Sequence, residues 1–279
     1  MAVYDCFLFF NELDLLEIRL NELNEVVDKF VIVESSLTHS SKKKPYYFEE
    51  SKERFKNFLH KIIHVKVDDT PDIPPRPGRM GTFHNRHDIE WFQRDCVKRG
   101  LTDCSDDDVI LLSDADEIPS SKSIIKALEI LSKDKKSIIS FRQKFYYYYL
   151  NGLCICMKGN TAETWWGTTA CLYSRYPGAQ NMRNTKGSNR NIIDDAGWHF
   201  SYTGGADSIA LKIESFSHAE FDTETVKDRK RINKVIESGI DLFERHDKSR
   251  QIYVKFDESF PKYAFDNKEK FSHLIKVTQ

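Results

Sequence analysis

Short, unbroken apolar runs set the strongest limit on what this chain folds into. They read "CFLFF" at 6–10, "FVIVES" at 30–35, "IIHVKVD" at 62–68, "VILLSD" at 109–114 and "SIISF" at 137–141. A strand with one face in water alternates apolar and polar residues, so runs apolar at every position belong to strands covered on both faces. Between them the spacing changes to that of helices. Leu13, Leu16, Leu20 and Leu23 form one stripe, Ile89, Phe92 and Cys96 a second ending at Gly100, and Ile124, Leu128 and Leu131 a third. Strand and helix alternate in this way to about residue 141, which predicts an α/β fold, Rossmann-like, with a mostly parallel central sheet. From Thr223 the pattern is charge-rich and helical, with Gly239 as a stop. The 279 residues are read as a single domain, with a core over about 1–221 and a C-terminal helical segment over about 222–279.

Composition removes several function classes. With 42 basic against 43 acidic residues there is no global field to attract nucleic acid or an anionic membrane. No segment approaches the roughly 20 apolar residues of a membrane span, and the start "MAVYDCFLFFNE" lacks the basic flank of a signal peptide. Cys6, Cys96, Cys104, Cys154, Cys156 and Cys171 show no C-x-x-C pairing, and several lie inside apolar runs, where a reduced thiol behaves as a small hydrophobe. The expected location is cytoplasmic. The loop "DDTPDIPPRPGRMG" at 68–81 is read either as an irregular excursion near a site or as a surface loop.

"VILLSDADEIP" carries the chemistry. Asp114, Asp116 and Glu117 crowd into four positions, and each close like-charge pair costs about 4 kcal/mol in a half-buried setting. Ligands in open α/β sheets bind outside the carboxyl ends of the strands, where this cluster falls. Closely spaced hard oxygens suit Mn²⁺ or Mg²⁺, which turns the repulsion into attraction. The plainer alternative is an acidic turn ahead of a helix capped by Ser120 or Ser121.

Four segments in order, "YDCFLFFNELDLLEIRLNEL", "VDKFVIVESS", "LLSDADEIP" and "GWHFSYTGG", resemble glycosyltransferase family 17, the bisecting β-1,4-N-acetylglucosaminyltransferases. The resemblance runs from Tyr4 to about Phe221. It implies a GT-A-like nucleotide-sugar fold, a UDP-N-acetylglucosamine donor, a glycan acceptor, a Mn²⁺-type ion at the D-x-D and inversion at the anomeric carbon. Relative to the animal members of the family, the expectation is a protein without their membrane anchor and stem.

Further residues take roles within that frame. Phe10, Asn11, Glu12 and Glu34 follow strand ends and are expected to line the donor pocket, although Asn11 and Glu12 also fit simple helix capping. Arg94 is a candidate for the diphosphate, or else half of a surface pair with Glu90. Asp116 is expected on the cation and Asp114 on the cation or the ribose, with His199 or His218 completing the shell; each histidine is equally readable as a core residue. Gly204 and Gly205 permit close approach to the donor sugar. Asp207 is the first candidate for the catalytic base and Asp195 the second. Trp165 and Trp166 offer flat faces to an acceptor sugar, as does the run 146–149, or they simply pack. The competing functions are a metal-dependent phosphoesterase and a carbohydrate-binding module without turnover.

Overall fold

Val3–Leu8 forms β1, buried except for half-buried Leu8, and the leucine stripe forms α1 (Leu13–Leu23). These come from a computed structural model that describes residues 1–77, 83–189, 191–244 and 249–278. The chain continues through β2 (Lys29–Ser35), α2 (Tyr47–Glu50), β3 (Ile62–Val67), β4 (Arg76–Pro77), β5 (Phe83–His84) and α3 (Arg86–Asp95). Next come β6 (Val109–Asp114), β7 (Glu117–Pro119), α4 (Ser121–Lys133), β8 (Ile138–Tyr147), β9 (Gly152–Cys156), β10 (Thr161–Ala162) and β11 (Thr164–Leu172). The remaining elements are α5 (Ala179–Asn184), β12 (Asn191–Ile193), β13 (Gly197–Ser201), α6 (Gly205–Ser215), α7 (Glu224–Lys227), α8 (Arg229–Ser238), β14 (Ser249–Tyr253) and α9 (Lys262–Asp266).

The α/β class is as the sequence predicts. One large sheet holds twelve of these strands along the path β10-β9-β8-β11-β6-β1-β2-β3. Its centre, β6-β1-β2-β3, is parallel, with Leu8 level with Asp114 on one side and with Val33 on the other. β11 then enters antiparallel between β6 and β8, while β12 and β13 run parallel to β8. Parallel neighbours need a crossover, which α1 supplies between β1 and β2.

Both faces of β1, β2 and β6 are covered, which is why these strands read as unbroken apolar runs, whereas edge strand β3 leaves Lys66 exposed. Phe7, Phe30, Ile32 and Leu111 point to one face, against Leu16 and Leu20 of α1 and Ile124 and Leu131 of α4. Cys6, Val31, Val33, Ile110 and Leu112 point to the other, against Cys96, Val97 and Met182. The alternation is still present, but apolar residues take both phases of it.

The C-terminal segment departs from the expected all-helical pattern. α8 stops at Gly239, whose φ of 66° closes the helix in the left-handed region. The chain then supplies β14, which pairs with β9 from Ser249↔Cys156 to Tyr253↔Gly152 and so joins the main sheet. Of the Pro- and Gly-rich loop, 78–81 lie outside the described residues. The tyrosine run mostly packs: Tyr146, Tyr147 and Tyr148 are buried, and Tyr147 alone of these lines the main cleft.

Candidate active site

The acidic cluster occupies the turn between β6 and β7, held from below by a residue the sequence patterns did not single out. Arg19 of α1 is wholly buried and grips Asp5 with two hydrogen bonds of 2.7 and 2.6 Å. Its Nη1 donates to the carbonyls of Asp114 (3.0 Å) and Glu117 (2.9 Å), tying both ends of the turn to the helix. The Asp114 backbone N–H donates to the Glu117 carboxylate at 2.8 Å, closing the loop on itself. Beyond the turn, Ser120 caps α4 by accepting from the Ser123 N–H, so the capping signal in the sequence was also real.

Cationic side chains offset the repulsion among the carboxylates. Asp114 meets Arg183 at 2.6 Å and Arg94 at 3.3 Å. Asp116 meets Lys212 at 2.7 Å, and Glu117 meets Lys186 at 2.7 Å. Burial works to raise the Asp114 carboxyl, but Arg183, Arg94 and Lys186 outweigh it and hold it down at about 2. Asp116 shows the same contest between burial and Lys212 and is driven far below the usual carboxylate range. The Lys186 ammonium goes the other way, pushed down to about 8 by burial and the neighbouring Arg183 despite its contact with Glu117.

These groups open onto a cleft of about 430 Å³ at the carboxyl ends of β1, β2 and β6. Of the residues singled out in the sequence, Phe10, Glu12, Arg94, Asp114, Asp116, Trp165, His199 and His218 line it. His199 lies on β13 with Nε2 3.6 Å from Asp116 Oδ1, its ring stacked 5.0 Å from Phe145 and tilted against Trp165 at 4.7 Å. Trp165 donates its indole N–H to Glu117 at 2.7 Å. His218 sits apart from the acidic cluster, paired with Glu220 at 3.0 Å and edge-on to His87. Glu12 stands at the N-cap position of α1 but makes no side-chain cap bond there; its carboxylate turns back onto the Phe10 and Asn11 N–H groups, at 3.3 and 3.1 Å.

Several expected positions fall elsewhere. Asp207 lies in the first turn of α6, but its side chain is 87% exposed and pairs with Arg229 rather than entering the cleft. Asp195 is 72% exposed in a turn with φ of 52° and meets Lys144 at 3.0 Å. Neither candidate base lines the cleft. Glu34 is fully buried behind the wall, where Lys44 (3.3 Å), His64 (3.0 Å) and the Phe48 N–H consume its oxygens. Asn11, Gly204, Gly205 and Trp166 also lie outside the lining; the two glycines form the left-handed entry to α6, with φ of 92° and 80°. Trp166 has Arg142 over its ring instead. Lys212, Arg183, Lys186 and Glu163 were missed because lone basic or acidic residues in a helix or loop carry no spacing signal. For Lys212 the one hint was a cation amid the apolar "SIALKIESF".

The residues fit a cation only in a limited way. Among the described residues no group of three or more His, Cys, Asp or Glu converges. The protein offers two donors that face each other, Asp116 Oδ1 and His199 Nε2, 3.6 Å apart. Two protein donors, with substrate oxygens and water filling the shell, is an ordinary arrangement for a hard divalent ion.

A charged cleft beyond the ends of parallel strands is where an α/β sheet of this kind binds its ligand. The family is settled by the whole chain: residues 1–276 match the model of glycosyltransferase family 17, and the protein belongs to that family. The chain is 26% identical to the β-1,4-mannosyl-glycoprotein 4-β-N-acetylglucosaminyltransferases of Rattus norvegicus and Homo sapiens, over 95% of its own length and 53% of theirs. It therefore spans about half the length of these relatives. Among solved structures, a 4-diphosphocytidyl-2C-methyl-D-erythritol synthase aligns over 70% of this chain and 89% of its own at 12% identity, with a TM-score of 0.39. A Francisella tularensis 2-C-methyl-D-erythritol 4-phosphate cytidylyltransferase aligns over 70% and 90% at 9% identity, with a TM-score of 0.36.

Proposed function

We propose that the cleft binds a UDP-sugar and transfers N-acetylglucosamine, or a related hexose, to a mannose-bearing glycan with inversion to a β-linkage. The observation that carries this reading is the pairing of Asp116 with His199 across 3.6 Å, beside four cations and at the ends of the parallel strands. In this reading Phe10 and Glu12 flank the nucleoside, Arg94 and Asp114 face the diphosphate or ribose, and Trp165 presents its ring to the acceptor sugar. Asp116 and His199 would hold Mn²⁺ or Mg²⁺, which would supply positive charge to a leaving diphosphate. Lys212, Arg183 and Lys186 bring further positive charge to the same place, and the aromatic wall of Phe145 and Trp165 keeps the His199 ring oriented.

Cytoplasmic action is part of the proposal. It is supported by six free cysteines, four of them buried, so that activity is expected to survive a thiol reductant. Among the described residues no helix is long and apolar enough to cross a membrane. The test is incubation with UDP-N-acetylglucosamine, Mn²⁺ or Mg²⁺, and a mannose-terminated oligosaccharide. UDP release and a β-linked product by NMR are expected. Absence of UDP release with either ion from this donor, while another nucleotide sugar is consumed, refutes the donor assignment.

A further inference from the structure

We infer that Glu163 is the catalytic base that takes the proton of the attacking acceptor hydroxyl. The inference rests on the reading above of an inverting transferase, and it replaces the two exposed aspartates as the base. An inverting displacement needs a carboxylate inside the cleft with an oxygen available to the acceptor. Among the described residues six carboxylates line the cleft: Glu12, Glu90, Asp114, Asp116, Glu117 and Glu163. Five of them are engaged. Asp114, Asp116 and Glu117 are held by Arg183, Lys212 and Lys186, and Glu90 by Arg94 at 2.5 Å. Glu12 is spent on two backbone N–H groups, with Lys212 3.8 Å away. A cation on a carboxylate stabilises its charge and weakens it as a base.

Glu163 differs in kind. Among the described residues its side chain has one partner, the neutral Ser249 hydroxyl, which donates to Oε1. The side chain is half-buried, so the carboxylate is neither sealed in the core nor fully hydrated. Its backbone is fixed on both sides: its N–H donates to the Cys154 carbonyl at 2.8 Å, and its carbonyl accepts from the Phe145 N–H at 3.3 Å. Trp165, two residues further on, also lines the cleft and reaches Glu117 and His199. Two residues of extended chain span about 7 Å. That places Glu163 on the same cleft as the proposed acceptor platform, with no ion pair to the cationic cluster among the described residues. Ser249 comes from β14, the strand that the C-terminal segment adds to the sheet, so that segment helps to set the position of the base.

The step balances without a further reactant. The acceptor oxygen forms a bond to the anomeric carbon, the bond from that carbon to the diphosphate oxygen breaks, and the diphosphate leaves with the electron pair. The hydroxyl proton passes to Glu163. The test compares wild type, Glu163→Gln and Glu163→Asp with UDP-N-acetylglucosamine and a mannose-terminated oligosaccharide. UDP affinity is measured separately by calorimetry as a check on fold and donor site. The expected result is a kcat lower by about 100- to 10,000-fold in Glu163→Gln, with UDP affinity and donor KM unchanged and partial recovery in Glu163→Asp. A Glu163→Gln variant within about tenfold of wild type overturns the assignment. So does a loss of rate matched by a loss of UDP affinity, which marks a structural role. An α-linked product from wild type overturns the inverting reading itself and the base with it, and that outcome is read without any variant.

Discussion

Arg19→Met tests whether the acidic turn depends on the buried arginine beneath it. Methionine keeps most of the side-chain length and its contact with Phe7, over whose ring the guanidinium lies at 4.2 Å, so the cavity contribution is small. What is lost is the charge. Arg19 and Asp5 are both wholly buried and joined by two hydrogen bonds, and removing one partner of such a pair leaves a buried carboxylate uncompensated at a cost of about 3–5 kcal/mol. The carbonyls of Asp114 and Glu117 lose their donor as well, at about 1–3 kcal/mol for each one that water does not reach. Taking the pair alone, a loss of about 4 kcal/mol is a large share of the ordinary 5–15 kcal/mol. Urea unfolding followed by tryptophan fluorescence reads it. The double variant Asp5→Leu, Arg19→Met removes both charges and is expected to recover about 2 kcal/mol or more relative to the single change. A single variant within about 1 kcal/mol of wild type, or a double variant as unstable as the sum of its parts, refutes the reasoning. The single variant is also expected to weaken UDP binding, since the turn at 114–117 loses its anchor.

Three further outcomes follow from other parts of the molecule. Asp116→Asn removes the carboxylate between His199 and Lys212, and it is expected to abolish the Mn²⁺-dependent part of UDP affinity while the protein stays folded; unchanged metal dependence in calorimetry sinks the metal assignment. Gly197 has φ of 126°, and an added Cβ would lie 2.3 Å from the Ile118 carbonyl oxygen, so Gly197→Ala should cost more than about 2 kcal/mol and displace His199. Gly205→Ala, with nothing within 4 Å of its Cβ, should cost only about 1 kcal/mol, and equal losses for the two changes would count against the steric argument. Partial burial works to raise Glu17 and Asp14, but hydrogen bonds from Lys270, Tyr263 and Arg54 to the first, and from Arg54 and His273 to the second, hold both below their usual values. A depressed carboxyl contributes stability above its unfolded pKa of about 4 and loses it as pH falls through the folded value. Arg54→Ala should therefore lower stability at neutral pH and flatten the acid limb below about pH 4, and an acid limb as steep as that of wild type argues against it.

Local rules were enough for the parallel centre of the sheet. Runs such as "FVIVES" and "VILLSD" carry their burial on both faces in their own composition, and strand ends in such sheets border a cleft by topology, so the position of Asp114 and Asp116 on the cleft was legible before any contact was known. Glycines and serines also kept their local meaning, with Ser120 capping α4 and Gly239 ending α8. What answers the charge of the acidic turn was decided elsewhere in the chain. Arg183 and Lys212 lie 69 and 96 positions beyond Asp114 and Asp116, and ion pairing at such separations leaves no periodic trace in a sequence. Asp207 looked like a base because glycines precede it, yet the direction of a helix residue is set by which face of α6 packs on Tyr202, Ile232 and Val235, and that face holds Ile209 and Ile213. Glu163 had no motif at all. It becomes a candidate only once β8, β9, β11 and β14 bring it to the cleft, since a carboxylate's usefulness as a base depends on having no cation beside it, which holds for Glu163 among the described residues and which only tertiary packing determines.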